Sequence, residues 1–452
     1  MALFKIKKGQ NLSIGGELEA VIERASQAKK VALLPTDFAG IKWKLEVGVG
    51  DVVKIGSPLL ASRLNPDLKL TSPGGGKVIE INRGDKRKLL EIVVEIADEE
   101  ESREFETFTV NEIPKLERGS IVSTLLDSGL WSYLIQRPFS RIANPSALPK
   151  SIFINAMDTE PNCADKQLLI KNSGKSFEAG IEILKKLTEG KVYLCYDGNA
   201  KDVAREVITT QGVETHQFKG NHPAGNVGTH ISKLDPIKKG DTVWHIDAEH
   251  LVLLGRFFLE GKIPTERIIA VGGTASTNRK YFKTRLGAPI EGIVQGKVTG
   301  REVRYISGGV LAGEKTNASA YLNHYRSTLT LIPEGHGKEL AGWMKLGTDK
   351  PSLTRLFISS FLPPRKFTMN TKVNGEPRAI VATHIYDPLV ALNVYTNFLV
   401  KACMAKDIER MEELGILECA PEDFSLCTYA CISKIEVDSI IKEGLELVEK
   451  ES

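Results

Sequence analysis

Residues 151–165, with the sequence SIFINAMDTEPNCAD, constrain the fold more than any other part of the chain. Their apolar run at 152–154 breaks within a few positions into Asp158, Glu160 and Pro161. Such a pattern is typical of a buried strand that ends at the crevice where open α/β sheets bind ligands. The sequence therefore predicts a parallel α/β sheet with a crevice at this strand end.

The preceding segment, residues 136–145, has the sequence QRPFSRIANP and contains no glycine. A loop that wraps a nucleotide or flavin phosphate is usually glycine-rich, because backbone N–H groups must approach the phosphate closely. Arginine can replace such donors, but Pro138 and Pro145 lack an N–H and have a fixed φ. The segment therefore predicts a crevice that keeps the outline of a cofactor site but no longer binds the cofactor.

The length of 452 residues exceeds what one hydrophobic core covers and predicts three or four domains. The formal charge of +3, with no basic cluster interleaved with aromatic residues, argues against nucleic-acid binding. Charge is unevenly placed, since residues 401–452 carry six Lys and Arg against thirteen Asp and Glu. This acidic end is typical of a pair of solvated helices.

The N-terminus mixes Lys5, Lys7 and Lys8 with its apolar residues, so it does not predict a signal-peptide core. No uncharged apolar run approaches the ~18 residues that cross a bilayer. We therefore expect a cytoplasmic protein that any partner would have to tie to a membrane. In that compartment the six cysteines are expected to be thiols or metal ligands rather than a disulfide framework.

Residues 30–96 alternate short apolar runs with glycine turns, which predicts a small β-structure. Within it, VGVGDVVKIG at 47–56 resembles a hairpin of the biotinyl/lipoyl carrier domain, a flattened barrel-sandwich. Carriers hold a modified lysine on a second hairpin, but LNPDL at 64–68 contains none. Lys69 is expected to be an exposed lysine beside a turn. We predict a structural or docking module.

A charged linker is predicted at 98–118, and the pattern changes beyond it. Apolar runs at 152–154, 192–196 and 242–246 alternate with helical periodicity at 180–187 and 200–208, which predicts a doubly wound fold over about 110–260. Short strands after residue 268 predict a small α+β module. Apolar residues at helical spacing predict helices at 388–404, 407–414 and 435–448.

Several short elements, in order along nearly the whole chain, resemble the A subunits of the Na+-translocating NADH:quinone reductases (Na+-NQR). They are residues 7–9, 47–56, 137–140, 155–165, 221–231, 284–288, 307–311 and 426–431. Residues 155–165 also resemble, more distantly, the flavin- and NADH-binding subunit of respiratory complex I and the C subunit of the Rnf complex.

The resemblance implies a multidomain α/β and α+β fold with four domains. They are a barrel-sandwich domain of the biotinyl/lipoyl type at 1–100, a Rossmann-like α/β domain without a glycine-rich loop at 101–260, a β-grasp domain of the soluble-ligand-binding type (SLBB-like) at 261–345, and a mainly helical domain with vestigial cluster cysteines at 346–452.

The resemblance places the helical region where the complex I relative holds an iron–sulfur cluster, and the sequence allows a test. One common cluster run is C-x2-C-x2-C-x3-C-P. If Cys427 and Cys431 were its last two ligands, the first two positions would hold proline and phenylalanine. Two thiolates cannot hold a four-iron cluster. A zinc site completed by Cys403 and Cys419 is the alternative to buried free thiols.

The histidines do not predict a catalytic centre. His222 and His230 flank a loop rich in glycine and proline, and His245 and His250 bracket two acidic residues. No pair has the spacing of the H-E-x-x-H zinc helix, and no Ser/His/Asp set can be assembled. We expect loop-stabilising histidines with partners, and ligand or quinone contact is the alternative. We therefore predict no catalytic residue and no metal ligand.

The resemblance implies a cofactor-free peripheral subunit, on the cytoplasmic face of the inner membrane, in a complex that passes electrons from NADH to ubiquinone and exports Na+. It implies five partner subunits, including the membrane-embedded B subunit. FMN, FAD, riboflavin and iron–sulfur centres are then expected on those partners.

Arg137, Phe139 and Arg141 line the pocket that a flavin would occupy and are the candidate quinone-contacting residues. A plain packing loop is the alternative for this segment. For the whole chain, the alternatives are an assembly scaffold without a ligand site and a self-contained NADH:flavin oxidoreductase.

Overall fold

The computed structural model describes residues 2–200, 202–337, 342–353, 356–381 and 384–451. The strands in these residues are β1 Leu3–Ile6, β2 Ile22–Arg24, β3 Lys30–Leu33, β4 Trp43–Leu45, β5 Val52–Val53, β6 Pro58–Ser62, β7 Lys69–Thr71, β8 Gly76–Arg83, β9 Leu89–Ile96, β10 Ile135–Arg137, β11 Arg141–Ile142, β12 Ser151–Ala156, β13 Lys191–Asp197, β14 Glu214–Gly220, β15 Val243–Asp247, β16 Glu266–Gly272, β17 Tyr281–Arg285, β18 Val303–Ser307, β19 Glu314–Thr316 and β20 Thr328–Pro333.

The α-helices in the same ranges are α1 Arg118–Ser128, α2 Lys166–Ile170, α3 Gly174–Leu187, α4 Arg205–Ile208, α5 Val227–Leu234, α6 Ala248–Glu260, α7 Ile290–Val294, α8 Thr396–Ala405, α9 Ile408–Glu413, α10 Ser425–Ala430 and α11 Val437–Glu451.

The α/β domain is built on a seven-stranded sheet in the order β1-β14-β13-β12-β15-β10-β11. The first five strands in that order run parallel, and β10 and β11 continue one edge antiparallel. All six residues of β12 are buried, because α3 and α6 pack over one face of the sheet and α5 over the other. The predicted doubly wound, Rossmann-like sheet is confirmed.

Helices α3 and α6 approach each other closely because glycines lie at their crossing. A Cβ on Gly255 would lie 1.8 Å from the carbonyl oxygen of Ser176, and a Cβ on Gly180 would lie 2.6 Å from that of Leu251. Only residues without a side chain allow two backbones to come this near. The apolar residues of both helices then join the core over β12.

The barrel-sandwich prediction is also confirmed. Two small sheets, β3-β9-β8-β5 and β4-β6-β7, surround one apolar core. Leu64, in the connection between β6 and β7, is 90% exposed. Lys69 is not the ordinary exposed lysine that was expected, because its Nζ lies 2.7 Å from Asp127 Oδ1 on α1. It therefore joins this domain to the α/β domain.

The β-grasp domain contains a six-stranded sheet in the order β19-β18-β20-β16-β17-β2, with α7 packed on its core. The N-terminal strands leave the domain in which the sequence placed them: β1 pairs with β14 and β2 pairs with β17. The first 24 residues thus contribute to two sheets outside the barrel-sandwich. The four-domain division at residues 100, 260 and 345 stays a proposal.

The segment predicted as a solvated linker, at 98–118, is fixed between domains instead. Arg103 Nη2 lies 2.6 Å from Asp127 Oδ2, and Glu100 forms an ion pair with Arg285 at 2.7 Å. The charges that suggested solvation are therefore used in contacts with the α/β and β-grasp domains.

The C-terminal domain is mainly helical, as predicted, but its first helix is shorter. The helix predicted at 388–404 begins only at Thr396, because residues 389–392 are all buried and four consecutive buried residues do not fit one helix face. Helices α9 and α11 form where they were predicted.

The helix predicted at 200–208 is confined to α4, with residue 201 outside the described ranges. Across those ranges, no helix is both long enough and apolar enough to cross a membrane.

Candidate binding crevice

A cavity of about 640 Å³ opens at the carboxyl ends of β12 and β15. Its lining includes Asp158 and Asp247 at these strand ends, Ser307 from the β-grasp domain and Glu422 from the C-terminal domain. The crevice that the sequence predicted at the end of β12 is therefore enclosed by three domains.

The residues predicted to contact quinone lie in one hairpin on the cavity wall. Arg137 ends β10, Arg141 begins β11, and Phe139 lies in the turn between them. Phe139 and Ser140 have φ of +78° and +53°, which is the left-handed backbone that a tight turn requires. A hairpin, rather than a loop wrapped around a phosphate, thus occupies this position.

Both arginines of this hairpin bind carboxylates of the C-terminal domain. Arg137 is 2% exposed and donates its Nη2 hydrogen to Glu422. Arg141 donates from Nε to the two oxygens of Glu449 at 2.9 and 3.1 Å, and from Nη2 to one of them. Phe139 packs against the apolar core of the same domain. The hairpin therefore fastens two domains together while it lines the cavity.

Another part of the wall carries carboxylates with partners inside the chain. Glu160 accepts hydrogen bonds from the backbone N–H groups of Leu311 and Ala312, the latter at 3.0 Å. Burial, reinforced by the charge of Asp158, raises the pKa of Glu160 to about 7. A proton on Glu160 therefore exchanges near neutral pH.

Lys166, which is 9% exposed, forms an ion pair with Asp247. Burial by itself lowers the pKa of Lys166, but Asp247, Glu249 and Asp158 outweigh that effect and raise it. The lysine therefore stays charged and balances the carboxylates at the strand ends.

Aromatic and histidine rings stack beside this charged region. The Tyr133 ring lies 4.4 Å, centroid to centroid, from the rings of both His250 and His324. Burial, and then the charge of Arg267, hold the pKa of both histidines well below the usual value. These rings are therefore uncharged, and Tyr133 and His250 contribute a flat surface to the cavity.

The other candidate histidines are also neutral. His230 forms a hydrogen bond with the Ala224 carbonyl at 3.0 Å, and burial lowers its pKa to about 3. Burial lowers the pKa of His222 to about 4, and burial together with Arg137 lowers that of His245 to about 3. Within the described ranges, no group of three His, Cys, Asp or Glu side chains is arranged to hold a metal ion.

The cysteines of the C-terminal domain are free and buried. Cys427 and Cys431 are each fully buried, and Tyr386 donates its hydroxyl hydrogen to Cys431 Sγ at 2.9 Å. Burial raises the pKa of Cys403 to about 12 and that of Cys419 well above the usual value. All four thiols therefore belong to the apolar core of this domain.

Several residues of the crevice had no signal in the sequence. Glu422 and Glu449 looked like two more acids of a solvated helical region, and Tyr133 and Arg326 belong to no motif. Glu160 did carry a signal, since it lies four residues after the buried strand, within residues 151–165.

Comparison with known proteins first defines the class of protein: the chain is similar to subunits that contain a barrel-sandwich domain followed by an α/β domain. Residues 4–97 match the family described as "NqrA N-terminal barrel-sandwich hybrid domain", and residues 116–263 match "NqrA second alpha/beta domain". Residues 268–318 match "NQRA C-terminal domain".

Full-length relatives identify the family. The chain is 36% identical to the Na(+)-translocating NADH-quinone reductase A subunit of Alcanivorax borkumensis over 452 residues, covering 99% of this chain and 100% of the relative. The proteins of the same name from Vibrio alginolyticus and Neisseria meningitidis serogroup B are 37% and 38% identical at the same coverage. The chain therefore belongs to the family of the A subunits of Na(+)-translocating NADH-quinone reductases, and so to the subunits of an oxidoreductase.

Among solved structures, an NAD+-reducing NiFe-hydrogenase in the H2-reduced state aligns with 50% of this chain and 49% of its own. The TM-score is 0.35 and the identity 13%. This likeness is too low to carry an argument.

Proposed function

We propose that this chain is a cofactor-free subunit, peripheral on the cytoplasmic face of the inner membrane, of a sodium-pumping complex that carries electrons from NADH to ubiquinone. The isolated chain then catalyses no reaction. FMN, FAD, riboflavin and iron–sulfur centres belong to its five partner subunits, among them the membrane-embedded B subunit. The names of the full-length relatives support the assignment to this complex.

The observation that carries the cofactor-free proposal is the pairing of both hairpin arginines. Arg137 and Arg141 are the cations that would face a flavin phosphate, and Glu422 and Glu449 already bind them. Separating a largely buried pair to admit a phosphate would cost about 2 kcal/mol or more, because a charged group would be left without its partner. The hairpin is therefore poorly suited to hold a phosphate.

A visible spectrum and elemental analysis of the purified chain test this proposal. We expect a colourless protein without stoichiometric iron. A bound flavin, which absorbs blue light, would instead favour the self-contained NADH:flavin oxidoreductase.

An exposed apolar loop, described at residues 342–353 and 356–362 and called the 342–362 loop below, supports docking on a membrane-embedded partner. Leu346 and Leu356 are each 69% exposed and Phe361 is 70% exposed. Monomeric proteins rarely leave several large apolar side chains together in water, and such patches mark interaction sites.

This 342–362 loop has its own internal contacts in its described residues. The Ile358 N–H donates to the Leu346 carbonyl at 2.9 Å, and Lys350 Nζ lies 5.7 Å from the Phe357 ring centroid. The sequence of residues 342–366 holds five Lys and Arg against one Asp. A partner surface that is apolar and bordered by carboxylates would complement it.

Co-purification of the complex tests the docking surface. Replacement of Leu356 and Phe361 by Ser should weaken association with the membrane-embedded partner about a hundredfold, since two exposed apolar side chains would no longer be buried. The matched control replaces Val52 and Leu64, which are 83% and 90% exposed on the barrel-sandwich, by Ser and should co-purify like the wild type. Equal recovery of both variants would exclude this loop as the docking surface.

Contact with quinone is a second candidate function, favoured by the mixed lining of the cavity. An amphipathic quinone headgroup needs an apolar cleft with a few polar anchors. Phe139 and Tyr133 supply rings, and the two paired arginines of the hairpin add polar groups to the same cavity. The alternative is that the hairpin only packs the two domains.

Titration of a ubiquinone analogue against the chain, with and without Phe139→Ala, separates the two roles. Phe398→Ala, which removes a 64% exposed ring on α8, is the control. If Phe139→Ala binds the analogue with unchanged affinity, the quinone contact is excluded and only the packing role remains.

For the scaffold alternative, deletion of the gene should dissolve the complex, whereas loss of a quinone contact should spare oxidation of NADH by the partner subunits.

A further inference from the structure

A second cleft, of about 880 Å³, lies between the barrel-sandwich and helix α11 of the C-terminal domain. Its volume lies within the range of small-molecule sites, which often form where domains meet. Of the residues that line this cleft, the proposed function uses only Arg141 and Glu449.

Positive charge dominates the lining of the cleft. Among the residues that the structure describes, nine Lys and Arg side chains line it, against the carboxylates of Glu446 and Glu449 only. Glu449 is already bound by Arg141, and Lys44 is paired with Glu46. In the described ranges, seven of the nine cations have no carboxylate within 4.0 Å: Lys42 and Arg63 beside β4 and β6, Arg83, Arg87 and Lys88 around the β8–β9 turn, and Lys442 and Lys450 on α11.

This arrangement is unfavourable for the protein alone and favourable for an anion. Like charges gathered around a low-dielectric concavity repel one another and focus a positive potential into it. The turn that carries Arg83 and Arg87 is held by a hydrogen bond from Arg83 Nη1 to the Arg87 carbonyl at 3.1 Å. Arginine presents a planar set of donors that matches phosphate oxygens.

The lining of the cleft also contains an aromatic side chain. Trp43 lines the cleft, and its ring lies 5.9 Å from the Phe38 ring in an edge-to-face contact. Its indole Nε1–H is buried without a hydrogen-bond acceptor. Because this nitrogen is closed off from solvent, the partly exposed ring rather than the N–H is what Trp43 offers to a ligand in the cleft.

The geometry points to a binding site for a phosphorylated nucleotide, with the phosphates among the cations and the ring against Trp43. The site shares Thr36, Ala39, Arg141 and three residues of α11 with the first cavity, and it does not depend on the proposed function.

Isothermal titration of the full chain with ATP, tripolyphosphate and polyglutamate tests the site. We expect one ATP bound, and Arg83→Ala combined with Lys442→Ala should weaken binding about tenfold or more, since two phosphate contacts on opposite walls are lost. Lys77→Ala combined with Lys175→Ala removes the same charge from exposed positions outside the cleft and should leave the affinity within about twofold, because screened distant charges contribute little.

The ring contact has its own variant. Trp43→Leu removes the aromatic ring, so ATP should bind about fivefold more weakly while tripolyphosphate, which has no base to stack, is unaffected. Absence of ATP binding, equal losses in the two double variants, or unchanged ATP affinity in Trp43→Leu would each overturn the nucleotide site. Polyglutamate binding more tightly than ATP would overturn it in favour of an acidic peptide.

Discussion

Arg141 donates hydrogen bonds from Nε and Nη2 to the carboxylate of Glu449, which lies 308 positions later in the chain. The pair joins the edge hairpin of the α/β sheet to the last helix, and Arg137 with Glu422 makes a second such contact nearby. The wall of the crevice is consequently also the seam between two domains. A change at this wall therefore alters domain docking and ligand access together.

The Arg137–Glu422 pair should contribute measurably to stability. Glu422→Gln leaves the guanidinium of Arg137, which is 2% exposed, without its counter-ion, and we expect a loss of about 2 kcal/mol in the free energy of unfolding. Chemical denaturation of the variant and of the wild type measures this loss, and calorimetry checks it independently. The combined variant Arg137→Met, Glu422→Leu should lose less than the sum of its two single changes. Strict additivity would show that the two side chains do not interact.

Asp423 should make the C-terminal domain less stable as pH rises. It is 2% exposed, and burial, reinforced by Glu422, raises its pKa from 3.8 to about 7. Because the folded state holds this proton more tightly than the unfolded state, the stabilising contribution is complete below about pH 3.8 and is lost as pH rises to about 7.

Asp423→Asn should therefore increase the free energy of unfolding at pH 8 by about 2 kcal/mol, which is seen as a higher unfolding temperature. At pH 5 the increase should be smaller. Glu443→Gln, an exposed change on α11, is the control and should show no such pH dependence. The same gain for Asp423→Asn at both pH values would contradict the assignment.

The glycine crossing of α3 and α6 should not tolerate a methyl group. Gly255→Ala would place a Cβ 1.8 Å from the Ser176 carbonyl oxygen, so the helices must separate, at a cost of about 3 kcal/mol. Gly119→Ala, on α1, meets nothing within 4 Å and should be neutral or stabilising by up to about 1 kcal/mol. Thermal unfolding of both variants compares them directly, and similar midpoints would refute the close crossing.

The thiols should react slowly in the native protein. Burial raises the pKa of Cys195 and Cys419 well above the usual value, so little thiolate forms at pH 8. A chromogenic disulfide reagent should titrate six thiols after denaturation and far fewer before it. A total of four would reveal a disulfide, and zinc released during the titration would revive the metal-site alternative.

Patterns in neighbouring residues predicted the features that neighbouring residues determine, namely the buried strand and the polar residues at its end. The buried run at 152–154 became β12, and the acidic residues after it line the crevice, because a strand buried on both faces must be apolar and must end where polar groups begin. The helix predicted at 388–404 was wrong over its first half, where residues 389–392 fill a core without forming a helix.

Long-range partners had no such pattern. Glu449 lies in an acidic helix whose charge predicts solvation, and only the packing of that helix against the hairpin brings it to Arg141. The same holds for β1 and β2, whose short sequences do not show that they complete sheets in two other domains.

The amino-acid sequence by itself determined the order of architectural units, the buried central strand, the missing glycines of the phosphate loop and the family, since each is written in neighbouring residues. The tertiary structure alone decided which carboxylates neutralise Arg137 and Arg141. It also gathered into one cleft seven cations that, within the described part of the chain, have no carboxylate partner. The physical reason is that charge pairing acts through space over a few ångströms, whereas the residues concerned are separated by up to several hundred positions along the chain.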